Sequence, residues 1–172
     1  MHTRFSIALL ALVSAILWSG CQTTGSSSRN TIDFTPALTQ VYIEARPRVA
    51  RESTIPVQLP LSGTRIFLDP QPILLEWDFR DVTLLPTRDG PAFNFVLTPD
   101  AGRDLGRIST NNVGRRLVIV INQNVLGVAP IGRPMTDGVI RTYLEIPDEF
   151  AAELARDLSR TSQEIQRELT RR

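Results

Sequence analysis

The chain has 172 residues, 42% of them apolar, with 19 basic and 18 acidic side chains and a formal net charge of +1. That balance offers no broad basic field for nucleic acid, and a single cysteine allows no disulfide within the chain. There is no lysine and the only histidine is His2, at the extreme N-terminus, so a Ser-His-Asp triad, a Cys-His dyad, a Walker lysine and a His or Cys zinc site all lack their residues. No cofactor is expected.

Met1-His2-Thr3-Arg4 carries positive charge, and Phe5 to Trp18 is an uncharged apolar run. The run is shorter than the roughly 20 residues that span a bilayer. With the small residues Ser19-Gly20 it reads as a secretory signal peptide over 1–20. Leu17-Trp18-Ser19-Gly20-Cys21 resembles the lipobox of bacterial lipoproteins, with Trp18 where that family usually has Leu. The resemblance implies cleavage before Cys21, a diacylglyceryl group on its sulfur and an acylated amine. Gln22 in place of Asp implies, in two-membrane bacteria, passage to the outer membrane. The expected location is therefore the cell envelope, lipid-anchored and facing the periplasm. Residues 21–36 read as the lipidated cysteine and a flexible Ser/Thr/Gly linker, with a typical reach of roughly 20 Å.

The remaining chain, 37–172, has the length of one domain with its own core. Val41-Tyr42-Ile43 is a short predicted strand. Arg46, Arg48 and Arg51 are read as a solvated loop, with an acidic-group site as the alternative. Thr54 to Pro60 suits an edge strand or extended connector, Ser62-Gly63-Thr64 a turn, and Arg65 to Leu68 another strand. Asp69-Pro70-Gln71-Pro72 breaks the chain, because proline disfavours helical geometry in the residue before it. Val82 to Leu85 and Phe93 to Leu97 form a predicted hairpin around Arg88-Asp89-Gly90, with Phe93, Phe95 and Leu97 on one face. Asp69, Glu76, Asp78, Asp81 and Asp89 lack the spacing of a calcium loop and read as solvated faces and turns.

Thr98-Pro99-Asp100 predicts a helix start, with Thr as N-cap and Pro in the first turn. The helix is expected over 99–112, with Ala101, Leu105, Ile108 and Asn112 on one face and Gly114 as its C-terminal cap. Gly102 and Gly106 each cost about 1 kcal/mol against Ala, and their spacing admits close backbone approach by this chain's own sheet. Leu117 to Ile121 reads as a strand buried on both faces. Asn122-Gln123-Asn124 turns it, with positive φ expected at Asn122 or Asn124, and Val125 to Ile131 returns. Gly132 to Gly138 is a loop. Val139 to Ile146 is a strand with Ile140, Thr142, Leu144 and Ile146 on one face. A last helix is expected over 148–168, capped by Asp148, with Phe150, Leu154, Leu158, Thr161, Ile165 and Leu169 as its apolar stripe. Its surface pairs are predicted as Glu153–Arg156, Asp157–Arg160, Glu164–Arg167 and Glu168–Arg172. Val118, Val120, Leu105 and Leu158 are expected to share one core.

These elements give an α+β fold: a mostly antiparallel sheet of roughly five or six strands with two helices packed on one face. A ferredoxin-like arrangement is one option.

Phe95-Val96-Leu97-Thr98, Thr110 to Val120, Ala129-Pro130-Ile131, Asp137-Gly138 and Glu149 to Leu158 follow one another in an order that resembles the head part of the first periplasmic domain of SecD. SecD is a subunit of the SecDF protein-export machine. Asp81-Val82-Thr83 to Asp89-Gly90-Pro91-Ala92 resembles that family's entry hairpin. The resemblance implies a SecD P1 head-like fold and, because that head is thought to touch emerging polypeptide, a non-catalytic binding or accessory module. SecD's membrane spans have no counterpart in these motifs, so transport is not implied. The alternatives are a structural subunit of an envelope complex and a carboxylate-dependent enzyme. The partner-binding surface is expected on the loop Gly132 to Gly138, through Arg133, Pro134 and Met135, with the hairpin tip Asn122, Gln123 and Asn124. An ordinary connector is the alternative for that loop.

Overall fold

The computed structural model describes residues 36–46 and 53–171. The signal segment, Cys21, the linker up to Thr35, and Arg48 and Arg51 lie outside the described residues. The described strands and α-helices run β1 (Thr39–Ile43), β2 (Ile55–Gln58), β3 (Arg65–Leu68), β4 (Phe79–Thr87), β5 (Gly90–Leu97), α1 (Pro99–Thr110), β6 (Arg116–Ile121), β7 (Asn124–Pro130), β8 (Val139–Thr142) and α2 (Asp148–Thr170), with a short 3-10 turn at Glu76–Asp78 before β4.

β6 is apolar at five successive positions and buried at each of them. The period of two explains why. Leu117, Ile119 and Ile121 point into the main core with Phe95, Leu105 and Leu158. Val118 points the other way, into a small second core with Leu59, Ile66 and Leu68 under the β2–β3 hairpin. The expected meeting of Val118 and Val120 with Leu105 and Leu158 is corrected accordingly: successive residues of a strand point to opposite faces, so Val118 and Val120 lie on the far side of β6 from the core that Leu117, Ile119 and Ile121 enter.

The α+β class and the antiparallel pairing are as expected, but the single sheet is divided. The strand orders are β1-β6-β7, β2-β3 and β4-β5-β8. The ferredoxin-like option needs two parallel neighbours at the sheet centre, and every described strand pair is antiparallel. The division arises where the predicted strand Val139–Ile146 changes sheets. β8 ends at Thr142, whose Oγ1 donates to Val128 O at 2.7 Å. Leu144 then bridges to Gly127, and Glu145 N donates to Leu126 O. The chain thus leaves β5 and lies along the edge of β7. Gly127 permits this, since a Cβ there would stand 2.7 Å from Tyr143 O.

α1 starts as predicted: Thr98 Oγ1 accepts from Ala101 N, and Pro99 opens the helix. It ends at Thr110, capped by Asn111, and Gly114 serves the turn before β6 with φ +87° rather than capping the helix. Gly102 and Gly106 do admit a close backbone, that of the loop before β8 and not of a sheet. A Cβ at Gly102 would lie 3.2 Å from Gly138 Cα.

α2 begins at Asp148 with Pro147 as N-cap and no side-chain capping bond. Its buried residues are Ala151, Ala155, Leu158, Thr161 and Ser162, and Phe150 is 54% exposed. The small residues Ala151 and Ala155 let the helix lie close to β4, so the buried stripe is rotated from the one drawn through the largest side chains. Of the predicted surface pairs, Glu164–Arg167 forms at 3.1 Å and Glu168 takes Arg171 at 2.6 Å.

Candidate functional site

The loop Gly132–Gly138 is pinned to the body by its backbone. Met135 N donates to the buried Ser109 Oγ at 2.8 Å, and Leu97 N donates to Gly138 O at 2.9 Å. Gly138 has φ +68°. Asp137 accepts from Val139 N and pairs with Arg141 at 3.5 Å. Arg133 and Pro134 are exposed on the loop's outer side, while Met135 is half-buried and packs against the main core. The thioether is therefore partly committed to the fold, and the accessible features are the Arg133 guanidinium and the Pro134 ring. Together with Val139 and Arg141 of β8, the loop encloses an open concavity of about 590 Å³.

The hairpin tip lies elsewhere. It sits at the start of β7 and the loop follows the end of β7, seven residues on, a separation of about 20 Å at strand rise. Arg133, Pro134 and Met135 are brought together; Asn122, Gln123 and Asn124 are not brought to them. Positive φ falls on Asn122 (47°) and Gln123 (68°), the two-residue turn whose twist matches a hairpin, and not on Asn124. Asn122 is occupied. Its Oδ1 accepts from Leu38 N at 2.8 Å and its Nδ2 donates to Pro36 O at 3.2 Å, fastening the segment that enters β1.

Sequence reasoning missed the surface beside the loop. In β5 the side chains of Phe93, Phe95 and Leu97 are buried in the main core; by the period of two, Ala92, which is also buried, and Asn94 and Val96, which are half-buried, face the other way. Register places Thr83 and Arg141 on either side of Asn94. Thr83, Leu85 and Arg141 are exposed, as is Tyr143, whose hydroxyl meets Thr87 Oγ1 at 2.9 Å. Asn94 Oδ1 is shielded and has no hydrogen-bond partner. This open face of the β4-β5-β8 sheet mixes apolar, hydroxyl, amide and guanidinium groups and runs into the loop concavity through Val139 and Arg141. The alternation of polar and apolar residues in β5 was its only signal in the sequence.

The carboxylates are mostly engaged in holding the fold. Asp69 pairs with Arg115 at 2.6 Å, and Glu44 takes Arg116 through two bonds of 2.8 and 2.6 Å. The Arg116 guanidinium holds Glu44 below its ordinary value against the opposing effect of burial. Asp78 accepts from Leu75 N, and burial, with Asp104 and Glu76 nearby, pushes its carboxyl up. Asp81 accepts from Ser159 at 2.5 Å. Among the described residues no group of three His, Cys, Asp or Glu is placed to hold a metal ion, and no helix is long and apolar enough to cross a membrane. The arrangement presents hydrogen-bonding groups, a cation and apolar surface at one place.

A solved structure of SecDF, a membrane component that enhances protein export, superposes with a TM-score of 0.54 at 21% identity, over 74% of this chain and 63% of that one. A crystal structure of SecDF in a super-membrane-facing form gives 0.53 at 22%, over 73% of this chain and 19% of that one. The chain thus spans less than two thirds of either, and at these identities the likeness is one of fold. No curated protein sequence matches. The family model for the SecDF P1 head subdomain matches residues 52–162, well over half of the sequence. The chain belongs to the SecDF P1 head subdomain family.

Proposed function

We propose that this chain is a lipid-anchored, periplasm-facing module that binds extended polypeptide without catalysis, in support of protein export. The observation that carries this reading is the open β4-β5-β8 face continuing into the concavity under Arg133 and Pro134. A flat face with mixed donors and apolar positions meets many sequences, and a rigid loop beside it supplies an edge. Family membership points the same way, since SecDF enhances export. Photocross-linking from position 136, exposed on the same loop, in native envelopes tests it. Arg133→Ser with Pro134→Gly should weaken cross-links to exported chains and leave the melting temperature unchanged, because neither side chain is buried. Equal cross-linking in the double variant removes the loop from the reading. A fixed subunit of an envelope complex is the second reading, favoured by exposed Trp77 and Leu169 near the end of α2. Recovery of one stoichiometric partner would support it.

A further inference from the structure

β4 is an outer strand of its sheet, and α2 runs beside it in the opposite direction. Gln166 Nε2 donates to Phe79 O, Ser159 bonds Asp81, and Asp148 lies against Gly90. The regular part of the β4 edge is short. A bulge interrupts its register between Phe79 and Asp81, and Pro86 ends its run of donors. The intact stretch is Asp81–Leu85, centred on Thr83. Between it and α2 lies a groove of about 590 Å³ lined by Val82, Leu84, Ala152 and Ala155, with Arg156 and Arg160 on its rim.

The outward face of α2 carries a charge pattern with no use inside one chain. Glu149, Glu153, Arg156 and Arg160 are spaced four, three and four residues apart, so they share one face of the helix. All four are exposed, and none makes an ion pair among the described residues. The face is acidic toward the helix start and basic at its middle, so Glu153 and Arg160 complement each other when the helix is reversed about a point between them.

We infer that a second copy of this chain docks on this edge, β4 against β4 antiparallel about a two-fold axis at Thr83. The axis sets α2 antiparallel to its counterpart. The contacts along β4 put Thr83 level with about the middle of α2, so Arg160 of one copy comes level with Glu153 of the other, twice by symmetry. Such an interface is self-complementary and closed, and the bulge and Pro86 stop it from extending. It joins two three-stranded sheets into one of six strands. The two open faces then form a single surface, with Thr83 and Leu85 of both copies at its centre.

The test is disulfide formation in the full chain in its native, oxidising envelope. An antiparallel pair at Thr83 brings the two Cα atoms to about 4.5–5.5 Å, within disulfide range. Thr83→Cys should give a dimer that reducing agent dissolves, and Leu61→Cys, exposed at the β2–β3 tip, should give none. Arg160→Glu or Glu153→Arg in the Thr83→Cys background should lower the dimer fraction by about tenfold or more, and the two together should restore it. All three positions are exposed, and unchanged melting confirms folding. Equal dimer from Leu61→Cys, failure of the charge swap to restore it, or a Thr83→Cys adduct with another polypeptide in place of the dimer would each overturn the inference.

Discussion

Single residues show where the fold is satisfied and where it is under strain. Gln123 holds φ +68° with an ordinary side chain, a conformation that costs about 1–2 kcal/mol without glycine. Gln123→Gly should raise stability by about 1 kcal/mol, read as a melting temperature higher by roughly 2–4 °C; a lower one would mean that the Gln123 side chain contributes to the fold. Glu44 and Asp78 give opposite signs with pH. Glu44 is held below its ordinary 4.5 by Arg116, so its contribution is full above 4.5 and is lost as pH falls through the lowered value. Asp78 is raised above 3.8 by burial, so its charged form costs stability as pH rises through the raised value. Acid titration of the melting temperature should therefore show a smaller loss in Glu44→Gln than in the parent. Asp78→Asn, which keeps an acceptor for Leu75 N, should be neutral or stabilising at pH 7. A steep loss in Asp78→Asn would show that the charge itself is needed.

At the scale of elements, two glycines that look alike in sequence behave differently. A Cβ at Gly106 would meet nothing closer than 3.7 Å, whereas one at Gly127 would stand 2.7 Å from Tyr143 O and 2.8 Å from Leu144 Cδ2. Gly106→Ala should gain up to about 1 kcal/mol of helix propensity. Gly127→Ala should cost about 1–3 kcal/mol of overpacking and loosen the crossing from β8 to β7. Denaturant melts that reverse this order would overturn the account of where the sheet divides. The docking of α2 rests on Leu158, which is 1% exposed in the main core. Leu158→Ala should cost about 2–5 kcal/mol, while Phe150→Ser, at a position assigned to the same stripe from sequence, should change the melt little.

For the whole molecule, the proposal depends on attachment. The charged start, the short apolar run, Ser19-Gly20 and the polar tract after Cys21 are the motivation. Two or three acyl chains hold a protein on a bilayer where one does not. Cys21→Ser should move the protein to the soluble periplasmic fraction or leave it unprocessed. A mature chain with an unmodified N-terminus in mass spectrometry would remove the anchor from the proposal.

By itself, the sequence determined what is local. The start of α1 follows from Thr98-Pro99, the β4–β5 hairpin from Asp89-Gly90, the two-sided burial of β6 from five apolar residues in a row, and the family from ordered motifs between Asp81 and Leu158. These need only neighbours along the chain. Tertiary structure decided which faces meet. It sent Val118 to a second core because β2 and β3 cover that side of β6. It buried Ala151 and Ala155 in place of Phe150 because a helix lying close to a strand favours small side chains. It split the sheet at Gly127 because the chain from β8 crosses there. It separated Asn122 from Arg133 by the length of β7. The open face around Asn94 and the free edge at Thr83 are likewise products of strand order, which side-chain periodicity does not encode.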